Sequence, residues 1–155
     1  MDKTTIQTGF EIENPKVLIS WNLTEQELTS LLKDKVSLEK SINGLFFSAE
    51  VFAEKIKLIV YLELHEGRLK KVYLTRDGEY FHEKNFEAAG VQSFKEIQLI
   101  LESCFGKPKL LGYLSVPLNY KNVRHFKWNA GKVRIEHNYC DSVRGFEEQL
   151  QFTIK

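Results

Sequence analysis

The chain has 155 residues, 43% of them hydrophobic and 28% charged, with a formal net charge of +1. That supplies enough apolar material for one core, in a single domain or in two small joined halves, and gives no argument for nucleic acid or a strongly charged partner. No apolar run approaches the roughly 18 residues of a membrane span, and the first residues lack the regions of a signal peptide, so a cytoplasmic location is the expectation.

In chain order, residues 1–7 read as polar and loose. Residues 9–21 read as one or two short strands interrupted at Asn14-Pro15, where proline withdraws a donor. Thr24-Glu25-Gln26-Glu27 is a capping box, with Leu23 and Leu28 placed for a hydrophobic staple. It predicts a helix over 24–33 with Leu28, Leu31 and Leu32 buried, and one further helical turn within 34–43. Residues 45–52 alternate imperfectly as a strand. Residues 56–64 carry Leu58, Val60 and Leu62 on one side and Ile59 and Tyr61 on the other. Such a strand is either covered on both faces, or covered on one and used for association on the other. The turn at Glu66-Gly67 pairs Leu64 with Leu69 and Glu63 with Lys70. Asp77-Gly78 is a turn signal leading into residues 79–82.

Beyond a polar linker, Ser93-Phe94-Lys95-Glu96 repeats the capping-box pattern and predicts a helix over 94–105. Its apolar stripe is Ile97, Ile100, Leu101 and Cys104, and Gly106 and Pro108 stop it. Strands follow over 110–118, over a hairpin at 122–140 and over 146–154. In the hairpin, two alternating runs flank a Gly-containing turn. With Ala130-Gly131 as the loop, Trp128 faces Val133, Phe126 faces Ile135 and Arg124 faces His137. The large apolar side chains then share one face. Lys127, Arg134, His125 and Glu136 form a solvated opposite face. In the last strand Phe146, Glu148, Leu150, Phe152 and Ile154 share a face, and Glu148 needs Arg or Lys nearby.

The expected class is α+β, an antiparallel sheet of about 7–8 strands with two main helices packed on it. The order of capping box, helix and meander occurs twice, which divides the chain into pseudo-repeat halves at 9–82 and 83–155.

Phosphate-loop, dinucleotide, nucleophile-elbow and zincin motifs are absent, and no cofactor is expected. Two cysteines, Cys104 and Cys140, are too few for a disulfide framework and read as buried thiols. His137 and Cys140 point to opposite faces of a strand, as do His125 and His137 in the register above, so a metal site is not expected. Two sets of residues remain. The outer hairpin face, with His125, Lys127, Arg134 and Glu136, offers a fixed array for another protein. The inner end, with Arg124, His137, Tyr139, Arg144 and Glu148, forms either a small polar pocket or a satisfied buried network.

The size, near-neutral charge, lack of catalytic motifs and aromatic-rich meander resemble small bacterial immunity or inhibitor proteins. The helix-then-meander order at Thr24 and again at Ser93 is similar in outline to the tandem-repeat β-lactamase inhibitory proteins, although the disulfides of that secreted family have no counterpart here. The resemblance covers most of the chain and rests on no specific motif. It implies a non-enzymatic protein-binding module, toxin-neutralising or regulatory. The alternative is a small-molecule-binding protein or enzyme that uses the inner patch.

Overall fold

The structure is a computed structural model that describes residues 1–52, 56–81, 86–110, 120–142 and 145–155. Its strands are β1 (Gly9–Ile12), β2 (Val17–Ser20), β3 (Glu39–Ser41), β4 (Gly44–Val51), β5 (Ile56–His65), β6 (Arg68–Arg76), β7 (Lys109–Leu110), β8 (Tyr120–Ala130), β9 (Val133–Ser142) and β10 (Gly145–Ile154). The helices are α1 (Thr5–Thr8), α2 (Glu25–Leu32) and α3 (Phe86–Phe105), with a 3-10 turn at Gly78–Phe81. β1 and β2 pair with each other, and the rest form one eight-stranded sheet in the order β3-β4-β5-β6-β10-β9-β8-β7. All its pairings are antiparallel. The fold is therefore α+β, two meanders whose last strands, β6 and β10, meet at the middle of one sheet.

The helices and the β1–β2 hairpin share one face of that sheet. The alternation read from the sequence puts Leu58, Val60 and Leu62 of β5, Val72 and Leu74 of β6, and Leu150 and Phe152 of β10 into the core. Phe10 of β1 meets Phe152 edge-on at 5.3 Å, and Phe105 of α3 lies 6.3 Å from the same ring. Ile97 and Leu101 bring the stripe of α3 into this core, and Leu28 and Leu32 bring that of α2.

The cap of α2 forms as expected. Thr24 Oγ1 accepts from the Glu27 N–H, and the Glu27 carboxylate accepts from the Thr24 N–H at 2.7 Å. The Thr24 backbone bond is the main cause holding the Glu27 carboxyl below its usual range. Thr24→Ala is expected to cost about 1 kcal/mol in urea unfolding. A loss near zero would mean that the free end of α2 is satisfied by water instead.

Several expectations are corrected. Residues 1–7 are not loose. Asp2 Oδ1 accepts from the backbone of Thr4 and Thr5, both at 2.8 Å, and Ile6 of the short α1 is fully buried beneath the Trp21 indole, whose N–H donates to the Ile6 carbonyl at 2.7 Å. The extra helical turn within 34–43 is replaced by the edge strand β3. Glu63 pairs with Lys71 rather than Lys70, because a bulge at Glu63/Leu64 inserts one residue, while Leu64 still faces Leu69. The residues after Asp77-Gly78 form the 3-10 turn.

α3 begins at Phe86, ahead of the predicted start. Ser93 therefore sits inside the helix and caps nothing. Its hydroxyl is fully buried and belongs to a side-chain network instead. Of the expected strand over 110–118 only Leu110 is described, in β7, and residues 111–119 lie outside the described residues.

The C-terminal hairpin forms with its faces as predicted and its register two residues further on. Trp128 faces Ile135, Phe126 faces His137, Arg124 faces Tyr139, and the loop is Gly131-Lys132. The physical reason is the turn. Gly131 has φ +57° and Lys132 does not share a positive φ, which puts the glycine at the first loop position, as in type II′ turns. A loop of Ala130-Gly131 asks alanine to occupy that position. A shift of two residues keeps every side chain on its own face.

Candidate functional site: two faces of one hairpin

On the inner face, β9 carries His137 under α3 with no exposed surface. Its Nδ1 lies 2.9 Å from Gln98 Oε1, and its Nε2 lies 2.8 Å from Glu148 Oε1. Gln98 presents its carbonyl oxygen because its amide nitrogen donates to Glu102 at 2.7 Å. Each ring nitrogen thus faces a side-chain oxygen. Phe94 stacks on the ring at 4.4 Å.

The chain of contacts continues beyond Glu148. Its Oε2 accepts from Ser93 Oγ at 2.6 Å, and that hydroxyl accepts from Arg76 Nε at 3.0 Å. Arg76 also donates to Glu96 at 2.6 Å and lies 4.3 Å over the Tyr80 ring. Burial is the largest cause of the raised Tyr80 pKa, followed by the charge of Glu96. In place of the Arg or Lys expected beside it, Glu148 meets the His137 ring and the Ser93 hydroxyl, with Arg76 one hydroxyl further away. Arg76, Ser93 and Gln98 carry no sequence signal for this role, because they come from β6 and α3 and meet only when α3 docks.

The predicted inner residues divide. His137 and Glu148 are enclosed in the network. Arg124 and Tyr139 line a separate cleft of about 270 Å³ with Val91, Phe94 and Lys95 of α3. Arg144 lies outside the described residues. Among the residues that the structure describes, no cluster of His, Cys, Asp or Glu has the makings of a metal site, and His125 and His137 fall on opposite faces of the sheet.

The outer face differs from the solvated surface expected of it. His125 and Glu136 keep only 14% and 12% of their side-chain surface. His125 Nε2 stands 3.4 Å from Glu136 Oε1, and Arg134 Nε stands 3.3 Å from Glu136 Oε2, while Gln151 donates to that oxygen at 2.8 Å. Half-burial arises because neighbouring side chains on a flat sheet shield one another. His125 Nε2, Arg134 Nε and Asn138 Oδ1 are buried side-chain atoms without a hydrogen-bond partner, and all three lie on this face.

The same face extends beyond the hairpin. Register across the strands sets Phe46, Tyr61, Tyr73, Gln151, Glu136 and Lys127 in one row from β4 to β8. Every one of these side chains remains partly exposed. Tyr61 and Tyr73 are 6.1 Å apart. Lys71 bonds the Glu63 carboxylate at 3.1 Å and the Tyr73 hydroxyl at 3.3 Å, and these bonds, Glu63 first, raise its pKa. Burial is the main cause raising the Tyr73 pKa, so its phenol remains a neutral donor. Alternation within one strand pointed to Tyr61. Phe46 and Tyr73 join it only through the register between strands.

These features define an α+β domain with one helix-covered and one open sheet face. No protein-family model and no curated protein sequence matches the chain. Among solved structures it is similar in outline to a DUF4309 family protein (YjgB) from Bacillus subtilis, at 10% identity over 85% of this chain and 78% of that chain. The TM-score is 0.42, and the likeness carries no argument about function. No helix among the described residues is long and apolar enough to cross a membrane.

Proposed function

We propose that the chain is a non-enzymatic protein-binding module that engages its partner through the outer sheet face. The binding residues are His125, Lys127, Arg134 and Glu136 of the hairpin, continued by Tyr73, Tyr61 and Phe46. What supports this reading is the transverse row itself, aromatic at one end and charged at the other, on a face where every one of its side chains is partly exposed. Tyrosine and phenylalanine bury large areas at interfaces. β5 is thus covered on one face and offered for association on the other. A protein toxin or a regulated enzyme is the kind of partner proposed.

The test is a photo-crosslinking amino acid placed at Tyr73, with a second placed at Leu99 on the exposed side of α3, both in cells that produce the protein. A defined protein adduct is expected from position 73 and none from 99. Lys127→Glu is expected to weaken the adduct strongly while the melting temperature stays within a few degrees, since surface charges govern recognition more than folding. Arg134 and Glu136 are left intact because they contact each other, and Glu136 also contacts His125 and Gln151, so changing either disturbs the fold as well. Equal adducts from both positions, or an adduct that survives the charge reversal undiminished, would overturn the reading.

A further inference from the structure

The geometry points to a second site on the opposite face of the sheet, a cleft between α3 and the C-terminal hairpin that takes a small aromatic anion. Its wall is aromatic and already ordered. Phe94 and Tyr139 are both buried, with ring centroids 5.2 Å apart and planes inclined at 60°, and Phe94 is backed by the stacked His137 ring. Val91 adds an aliphatic side, and Lys95 and Arg124 supply two exposed cations.

The described acids nearby are already committed elsewhere. Glu96 is held by Arg76 and Gln92, Glu102 by Gln98, and Glu148 by His137 and Ser93. Among the described residues neither Lys95 nor Arg124 has an acidic partner within ion-pair distance. The cleft therefore combines an aromatic wall with two cations whose described acidic neighbours are engaged elsewhere. Its volume of about 270 Å³ accommodates one ring bearing a single charged group. Arginine and lysine recognise carboxylate and phosphate oxygens alike, so the shared chemistry is an anion on a planar ring. This inference is independent of the protein-binding reading, because it uses the other face of β8 and β9.

The experiment is an amide NMR titration of the full chain with benzoate, phenyl phosphate and neutral benzamide. Saturable shifts centred on Val91, Phe94, Lys95, Arg124 and Tyr139 are expected for one or both anions, and binding of benzamide is expected to be at least about tenfold weaker. Arg124→Gln and Lys95→Gln should each weaken the better anion by about tenfold without changing the melting temperature, because both side chains are exposed. Lys127→Glu on the other face should leave the titration unchanged. Phenyl phosphate binding more tightly than benzoate would assign the anion as a phosphate, and the reverse order would assign a carboxylate. Equal binding of benzamide, absence of saturation with either anion, or indifference to both glutamine variants would each overturn the proposal.

Discussion

Trp128→Ala is expected to remove about 3–5 kcal/mol of stability, most of what a domain of this size has to lose. The indole is 3% exposed, on β8 between the sheet and the end of α3. Its N–H donates to the Gly106 carbonyl at 2.6 Å, and Gly106 closes α3 with φ +73°. Truncation therefore opens a cavity and also leaves the last turn of the helix untied from the sheet. Urea unfolding followed by circular dichroism measures the loss. Lys127→Ala, one residue away on the outer face, is expected to cost under about 1 kcal/mol. Comparable losses from the two variants would mean that the faces of β8 are inverted.

His137→Ala is expected to cost a similar amount, about 3–5 kcal/mol, by a different mechanism. The side chains of His137 and Glu148 are 0% and 6% exposed, so removing the ring leaves a carboxylate enclosed with only the Ser93 hydroxyl to satisfy it. Gln98 loses the donor that its carbonyl faces. Glu148→Gln keeps the volume and withdraws the charge, and its loss should be smaller than that of His137→Ala. A double-mutant cycle between His137→Ala and Glu148→Ala should return a coupling above about 1 kcal/mol. Additive losses would show that the two groups do not act as a pair.

The division between what was legible in the sequence and what was not follows the range of each interaction. The cap at Thr24 was legible because its partner, Glu27, is three residues away on the same turn. The inward faces of β5, β8, β9 and β10 were legible because side-chain direction in a strand has a period of two. That period also carried the face assignment through an error of two residues in the hairpin register. Ser93-Phe94-Lys95-Glu96 has the residues of a cap, yet sequence alone does not say whether the chain before it is already helical. In the folded chain it is, and the hydroxyl turns to Glu148 instead.

By itself the sequence determined the strand faces, the α2 cap and the α+β class, all set by neighbours a few residues apart. The tertiary structure alone decided that Ser93 joins Glu148 across 55 positions, that Gln98 reaches His137 across 39, and that Phe46, Tyr61 and Tyr73 fall in one row. The physical reason is that docking α3 and setting the register of β6 against β10 are choices among whole-chain packings, which no local propensity encodes.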